Sequence, residues 1–248
     1  MNSPVNGSRN RLLAVLSNAD SDLLTPSLEM IGLDARQILE TPSDPIAYVY
    51  FVESGLVSVV GTTQPDHRIE VGMVGYEGMT GLCIVLGDDR SANETVVQSA
   101  GSAMRLPTRI LRELMEESRS LTATLLRYVN VFMVQGSQTA LANGRGRLDE
   151  RLARWLLMWH DRVLADELII THEFLAVLLG VRRQGVTVAL HELEGKGLIR
   201  STRSHVRVLD RDGLQQAANG FYGIPEAEYD RAIGNATRRA PPMRLTSL

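Results

Sequence analysis

The hydrophobic period of this chain, strand-like from Gly32, turns helical at Pro107, and that change limits the folds open to it. Before Pro107, short β-branched and aromatic runs lie at 48–52, 56–60, 69–74, 79–86, 94–99 and 103–106, punctuated by Gly61, Pro65-Asp66, Gly75, Gly87-Asp88-Asp89 and Gly101. Such spacing predicts an antiparallel roll or barrel of about eight strands, with Glu53-Ser54-Gly55 as a tight hairpin turn. After Pro107 the period is helical: a short helix over 108–117, a long one over 120–143 and a third over 148–163. In the long helix Leu121, Leu125, Tyr128, Phe132, Gln135, Thr139 and Ala142 form one stripe. A helix of that length spans ~36 Å and overhangs a small barrel. Its stripe is therefore expected to pair with a second copy, making Leu121, Leu125, Tyr128, Phe132, Gln135 and Thr139 a dimer interface. The run Asn143-Gly144-Arg145-Gly146 then breaks the helix, glycine being costly there.

Charge divides the chain in the same region. Residues 1–144 carry 10 basic and 16 acidic side chains, whereas residues 145–248 carry 16 and 13. The excess concentrates in 171–207, with 6 against 3, so the C-terminal half is the one suited to an anionic partner. One cysteine, Cys83, excludes an internal disulfide and a cysteine-ligated zinc or iron–sulfur site. No apolar run approaches membrane-spanning length and residues 1–11 lack an apolar signal core, so a cytoplasmic protein without membrane contact is expected. Residues 11–16 and 21–28 have helical spacing, with Asp20 or Ser21 as the cap of the second piece.

The most informative segment follows. Thr171 precedes the periodic run Phe174, Leu175, Val177 and Leu178, and its hydroxyl suits a helix N-cap. Gly180 ends that helix, where a left-handed residue favours glycine. A second helix begins at Arg182 or Arg183 and turns Val186, Leu190 and Leu193 inward; Arg182, Arg183, Gln184, Thr187 and His191 share its other face. Gly195 and Gly197 stop it. Two strands, at 198–200 and 206–209, then flank Ser201-Thr202-Arg203-Ser204-His205. Helix, glycine turn, polar-faced helix and basic hairpin make a winged helix-turn-helix. Its second helix fits a DNA major groove, where Arg can bond guanine O6 and N7 and Gln can bond adenine N6 and N7. Thr171, Thr202, Arg203 and His205 are placed to meet phosphates, which fix register. The alternative is a ligand-binding or protein-interaction module with degenerate DNA contacts.

Over roughly residues 10–218 the sequence resembles the Crp/Fnr superfamily of bacterial transcription regulators. The resemblance rests on Thr171-x₂-Phe174-Leu175-Ala176-x₃-Gly180-Val181-x-Arg183-x₂-Val186-Thr187-x₂-Leu190-x₂-Leu193-Glu194-x₂-Gly197-Leu198-Ile199, and on Tyr50-Phe51-Val52-x-Ser54-Gly55-x-Val57. It implies an α+β chain: a cyclic-nucleotide-binding-like β-roll (double-stranded β-helix), a long dimerisation helix and a winged helix-turn-helix. It further implies a homodimer on two-fold double-stranded DNA, with RNA polymerase as a candidate partner. Arg183 matches the recognition-helix arginine of many members, while Gln184 replaces the commoner Glu, which predicts a different base preference. The expected division is a flexible terminus (1–10), sensor roll (11–119), dimerisation helix (120–143), DNA-binding domain (144–218) and an extension (219–248). Within that extension 222–229 is expected to pack as a small cap and 238–248 to be disordered.

What the roll senses is left open. Relatives that bind a cyclic nucleotide carry a glycine-containing turn with a Glu for the ribose and an Arg-Ser pair for the phosphate. Here the turn is Gly75-Tyr76-Glu77-Gly78-Met79-Thr80-Gly81, with Thr80 in place of that Glu. Arg90-Ser91-Ala92 copies the letters of the phosphate pair inside an acidic loop, whereas alignment on 96–98 puts Asn93-Glu94-Thr95 there. Glu94 would repel a phosphate, so cyclic AMP is disfavoured. The pocket candidates are Gly75, Thr80, Glu94, Thr95 and Ser137. A haem is disfavoured because His67, the only histidine of the roll, lies in a polar turn; Cys83 reads as an inert core thiol. No phosphate loop, dinucleotide fingerprint or metal-binding histidine motif is present, so no catalytic residue and no metal ligand is assigned.

Overall fold

A computed structural model of the chain describes residues 7–64, 67–163, 165–202 and 204–234. Two short helices, α1 (Arg11–Ala14) and α2 (Asn18–Leu24), lead into a sheet of β1 (Glu29–Leu33), β2 (Ile38–Glu40), β3 (Tyr48–Gln64), β4 (His67–Val74) and β5 (Glu94–Pro107). The sheet is antiparallel in the order β1-β5-β3-β4, with β2 also on β5. Among the described residues, five strands stand in this sheet where about eight were expected, because β3 has 17 residues and β5 has 14. The expected hairpin at Glu53-Ser54-Gly55 does not exist: β3 runs through it while its register against β5 slips between Val52 and Val57. A Cβ on Gly55 (φ +84°) would lie 2.5 Å from Ser99 O, and one on Gly101 would lie 2.0 Å from Ser54 O. These glycines let two long strands bend at backbone contact, which is a bulge and not a turn. The strand expected over 79–86 is only a bridge from Met79 to Phe51, followed by α3 (Leu82–Val85).

The cap of α2 is Ser17, not Asp20 or Ser21: its hydroxyl accepts from the Asp20 N–H. Nor is the N-terminus loose as far as residue 10. Asn10 is fully buried, caps α1, and donates its amide to Val52 O and Gly78 O at 2.8 and 2.7 Å.

After α4 (Thr108–Glu117), α5 (Arg119–Arg145) is 27 residues long; it passes through Asn143-Gly144 and stops at Gly146. Its stripe, expected at a dimer interface, faces its own subunit. Leu121 and Leu125 are fully buried with Phe51, Leu106 and Met79. Gln135 completes the edge of β4, accepting from Met73 N–H at 2.7 Å and donating to Met73 O at 3.2 Å. Phe132 lies over Gly72, where a Cβ would be 2.5 Å from its ring. Thr139 accepts from Arg154 at 3.1 Å. Elements later in the chain also cover this helix, so its length does not leave the stripe bare for a second copy.

The first of these is α6 (Leu148–Arg162), wedged between the roll and a C-terminal module of β6 (Glu167–Ile169), α7 (His172–Leu179), α8 (Arg183–Gly195), β7 (Ile199–Thr202), β8 (His205–Val208) and α9 (Arg211–Ala217). Trp155 of α6 donates its indole N–H to Glu70 of β4 at 2.8 Å, and Arg162 pairs with Glu77 at 2.6 Å. Last comes α10 (Ile224–Ala232), which returns to the N-terminal half and lies along α5. Its Tyr229 donates to Glu77 O at 2.7 Å, and Asp230 pairs with Arg11. The expected small cap is therefore a strap joining the end of the module to the roll; residues 238–248 lie outside the described residues.

Glu70 is the least solvated acid of this junction. Burial pushes its carboxyl up to about 7, against the hydrogen bonds from Ser58 and Trp155 and the charges of Arg154 and Arg162. Ser58 has one proton for two acceptors, Glu70 Oε2 at 2.6 Å and Gln98 Oε1 at 2.9 Å. A neutral Glu70 removes that conflict by donating to Ser58. The folded protein thus holds this proton more tightly than an ordinary glutamate at 4.5 would. The resulting stabilisation is whole below that value and is lost as pH rises through about 7.

Denaturant titrations from about pH 5 to about pH 8 should show wild type losing stability relative to Glu70→Gln, by at most about 1.4 kcal/mol per pH unit; a gap independent of pH removes Glu70 from the titration. Gly101→Ala should cost about 1–3 kcal/mol by overpacking, and a change under about 0.5 kcal/mol would mean that Gly101 sits in an open turn.

Candidate nucleic-acid interface

The C-terminal module is built by local chemistry. Thr171 has extended backbone and its hydroxyl accepts from Phe174 N–H at 3.2 Å, capping α7. Gly180 closes α7 at φ +61°, with Val181 N–H bonded back to Ala176 O. Val186, Ala189, Leu190 and Leu193 of α8 are buried against α6 and α7. The opposite face of α8 is solvent-facing: Arg182, Arg183, Gln184 and His191 are exposed and Thr187 is half-buried. Beside it the wing is three-stranded, in the order β6-β8-β7, so the extended stretch before Thr171 is its third strand.

These residues are differently engaged. Arg183 pairs with Glu173 at 2.9 Å, both side chains being mostly in water. Such a pair is worth about 0–1 kcal/mol, less than the ~1–3 kcal/mol of a bidentate guanine contact, so it leaves Arg183 available. The Thr187 hydroxyl donates to Arg183 O at 3.3 Å and lies 3.0 Å from His172 Nδ1. His205 lies 3.4 Å from Glu167. Thr202 is exposed at the end of β7. Arg203 lies outside the described residues.

Three residues of this surface escaped the sequence reading. Arg200 and Arg207 sit directly opposite each other on β7 and β8, both exposed. Like charges so paired repel, and an anion between them would relieve the repulsion. The alternation Ile199-Arg200-Ser201 and Val206-Arg207-Val208 carried the signal. The third is Val188, an apolar residue on the exposed face of α8.

The effector candidates do not converge. Thr80 and Thr95 are buried, but they serve Glu40: the Thr95 hydroxyl donates to Glu40 Oε2 at 2.8 Å and Gly81 N–H donates to Oε1 at 2.7 Å. Burial pushes the Glu40 carboxyl up, while these hydrogen bonds pull it down. A carboxylate of the chain itself thus holds the donors that an anionic ligand would need. Glu94 pairs with Arg68 on the rim. Gly75 packs on the Arg162 side chain, at 2.6 Å from a notional Cβ. Ser137 is on the solvent side of α5, bonded to Met133 O. The interior beside β3 is filled by Leu33, Val52, Val57, Val74, Val97 and Ala103. Burial pushes the Cys83 thiol up, away from reactivity. Among the described residues no His/Cys/Asp/Glu group could hold a metal ion, and no helix is long and apolar enough to cross a membrane.

Comparison with known proteins agrees with this geometry. The family model for the Crp-like helix-turn-helix domain matches residues 150–217. No curated protein matches the chain. Among solved structures, FixK2 from Bradyrhizobium japonicum superposes with a TM-score of 0.67 at 17% identity, covering 77% of this chain and 96% of its own. A transcriptional regulator assigned to the Crp/Fnr family from Eubacterium rectale gives 0.62 at 22% identity, covering 84% and 98%. The c-di-GMP-responsive global regulator CLP of Xanthomonas campestris gives 0.62 at 18%, covering 77% and 99%. At these identities the likeness is one of fold.

Proposed function

We propose that this chain, of Crp/Fnr type by its helix-turn-helix domain and its fold, is a transcription regulator that binds double-stranded DNA sequence-specifically as a homodimer. The observation that carries the reading is the division of α8: Val186, Ala189, Leu190 and Leu193 are spent on the module's core, while Arg182, Arg183, Gln184 and His191 project into solvent. A helix so divided can enter a major groove without unfolding anything. Arg183 and Gln184 at its N-terminal end read bases, and Thr202, Arg200 and Arg207 on the wing meet phosphates. Arg203 belongs with these by its place in the sequence.

Dimerisation uses a different face of α5 from the one its stripe suggested. Leu126, Met133 and Leu141 are 43%, 63% and 48% exposed. Ala123, Ala140 and Gly144, also exposed, extend the same side. Small and apolar residues along the outer face of a long helix suit pairing with its own copy about a two-fold axis. Two recognition helices held that way address half-sites about one DNA turn apart. No effector is assigned, because Thr80 and Thr95 are engaged by Glu40 and Ser137 points elsewhere.

Duplexes enriched from a random pool by the wild-type protein provide the test. On them Arg183→Ala should cost about 1–3 kcal/mol and relax one base position per half-site. Equal losses on enriched and scrambled duplexes would refute base reading. In sedimentation, Leu126→Lys combined with Met133→Lys should give folded monomers, whereas Leu125→Lys should impair folding; an unchanged dimer in the first variant would overturn the interface.

A further inference from the structure

Val188 is 58% exposed on α8, one residue after Thr187 and four after Gln184. On a helix those positions share a face with Arg183 and His191. Its immediate neighbours on the inward side, Val186, Ala189 and Leu190, are 0–3% exposed, so the core had room for apolar residues and Val188 is outside it. Thr187 adds to the same spot. Its hydroxyl is engaged with Arg183 O and His172 within the module, which leaves its methyl as the part not hydrogen-bonded. The middle of an otherwise polar and cationic reading face therefore carries a small apolar patch. The major groove offers one strong apolar counterpart to such a patch, the C5-methyl group of thymine.

We propose that Val188 is a specificity-determining residue that selects thymine, through its methyl group, at one position of each half-site. The inference rests on the DNA-binding reading above and deepens it. Arg183 and Gln184 supply hydrogen-bonded readout at the N-terminal end of α8, and Val188, one turn further along, reads shape and hydrophobicity. The Thr187 methyl is next to it in the sequence and extends the apolar patch on the same face. Exposure also makes the residue a clean probe, since its replacement opens no cavity.

The experiment replaces each thymine of an enriched duplex in turn by deoxyuridine, which keeps every hydrogen-bonding group and lacks only the methyl. Wild type should lose affinity about three- to fivefold, the worth of one buried methyl, at one thymine per half-site and at no other. Val188→Ala should bind the thymine and uracil duplexes alike, and Val188→Ile should keep the discrimination. Wild type indifferent to every uracil replacement overturns the proposal, as does an undiminished uracil penalty in Val188→Ala. Loss of the penalty in Thr187→Ser alone would assign the contact to Thr187 and overturn it too. Failure of the DNA-binding reading looks different: wild type would not distinguish enriched from scrambled duplexes at all.

Discussion

α6 has almost no side turned to water, and the placement of everything else follows from that. Ten of its 15 residues are buried, and three of these, Asp149, Arg154 and Arg162, are charged, so neighbours must cover its polar sides as well as its apolar stripe. It packs against the roll on one side and against α7, α8 and α9 on the other. Two polar pairs from the roll, Glu70 to Trp155 and Glu77 to Arg162, lie across the first of these contacts. Buried charges cost desolvation, so such pairs are weak sources of stability. Their directional hydrogen bonds restrict α6 to one register on the roll, and the polar face of α8 consequently remains open to solvent.

α5 serves two surfaces at once. Its inner side, from Leu121 to Ala142, covers one flank of the roll, and α10 straps one end of it. Its outer side keeps Leu126, Met133 and Leu141 in solvent. A periodic stripe states that a helix has an apolar face but not which neighbour covers it. That is why the inner stripe was legible as a pattern and misassigned as an interface. The outer face was illegible because Asn130 and Ser137 interrupt it.

Legibility followed the range of the physics. The helix-turn-helix was read closely, since its signals are local: a capping hydroxyl at Thr171, a left-handed glycine at Gly180, and inward steps at Val186, Leu190 and Leu193. The roll was read in class but not in strand count. Gly55 and Gly101 look like turn residues, and only their approach to each other's strands reveals a bulge. Glu40 was invisible as the partner of Thr95 and Gly81, because 55 and 41 residues separate them. Glu70 and Trp155 meet across 85 residues. None of these three contacts leaves a sequence signature.

On the proposed function, the exposed face of α8 lies against base edges in the major groove, twice per dimer. Methylation interference on an enriched duplex tests this directly, since guanine N7 is in the major groove and adenine N3 in the minor groove. N7-methylated guanines should block binding at two positions related by a dyad and about one helical turn apart. Interference only from N3-methylated adenines, or at a single half-site, would contradict it.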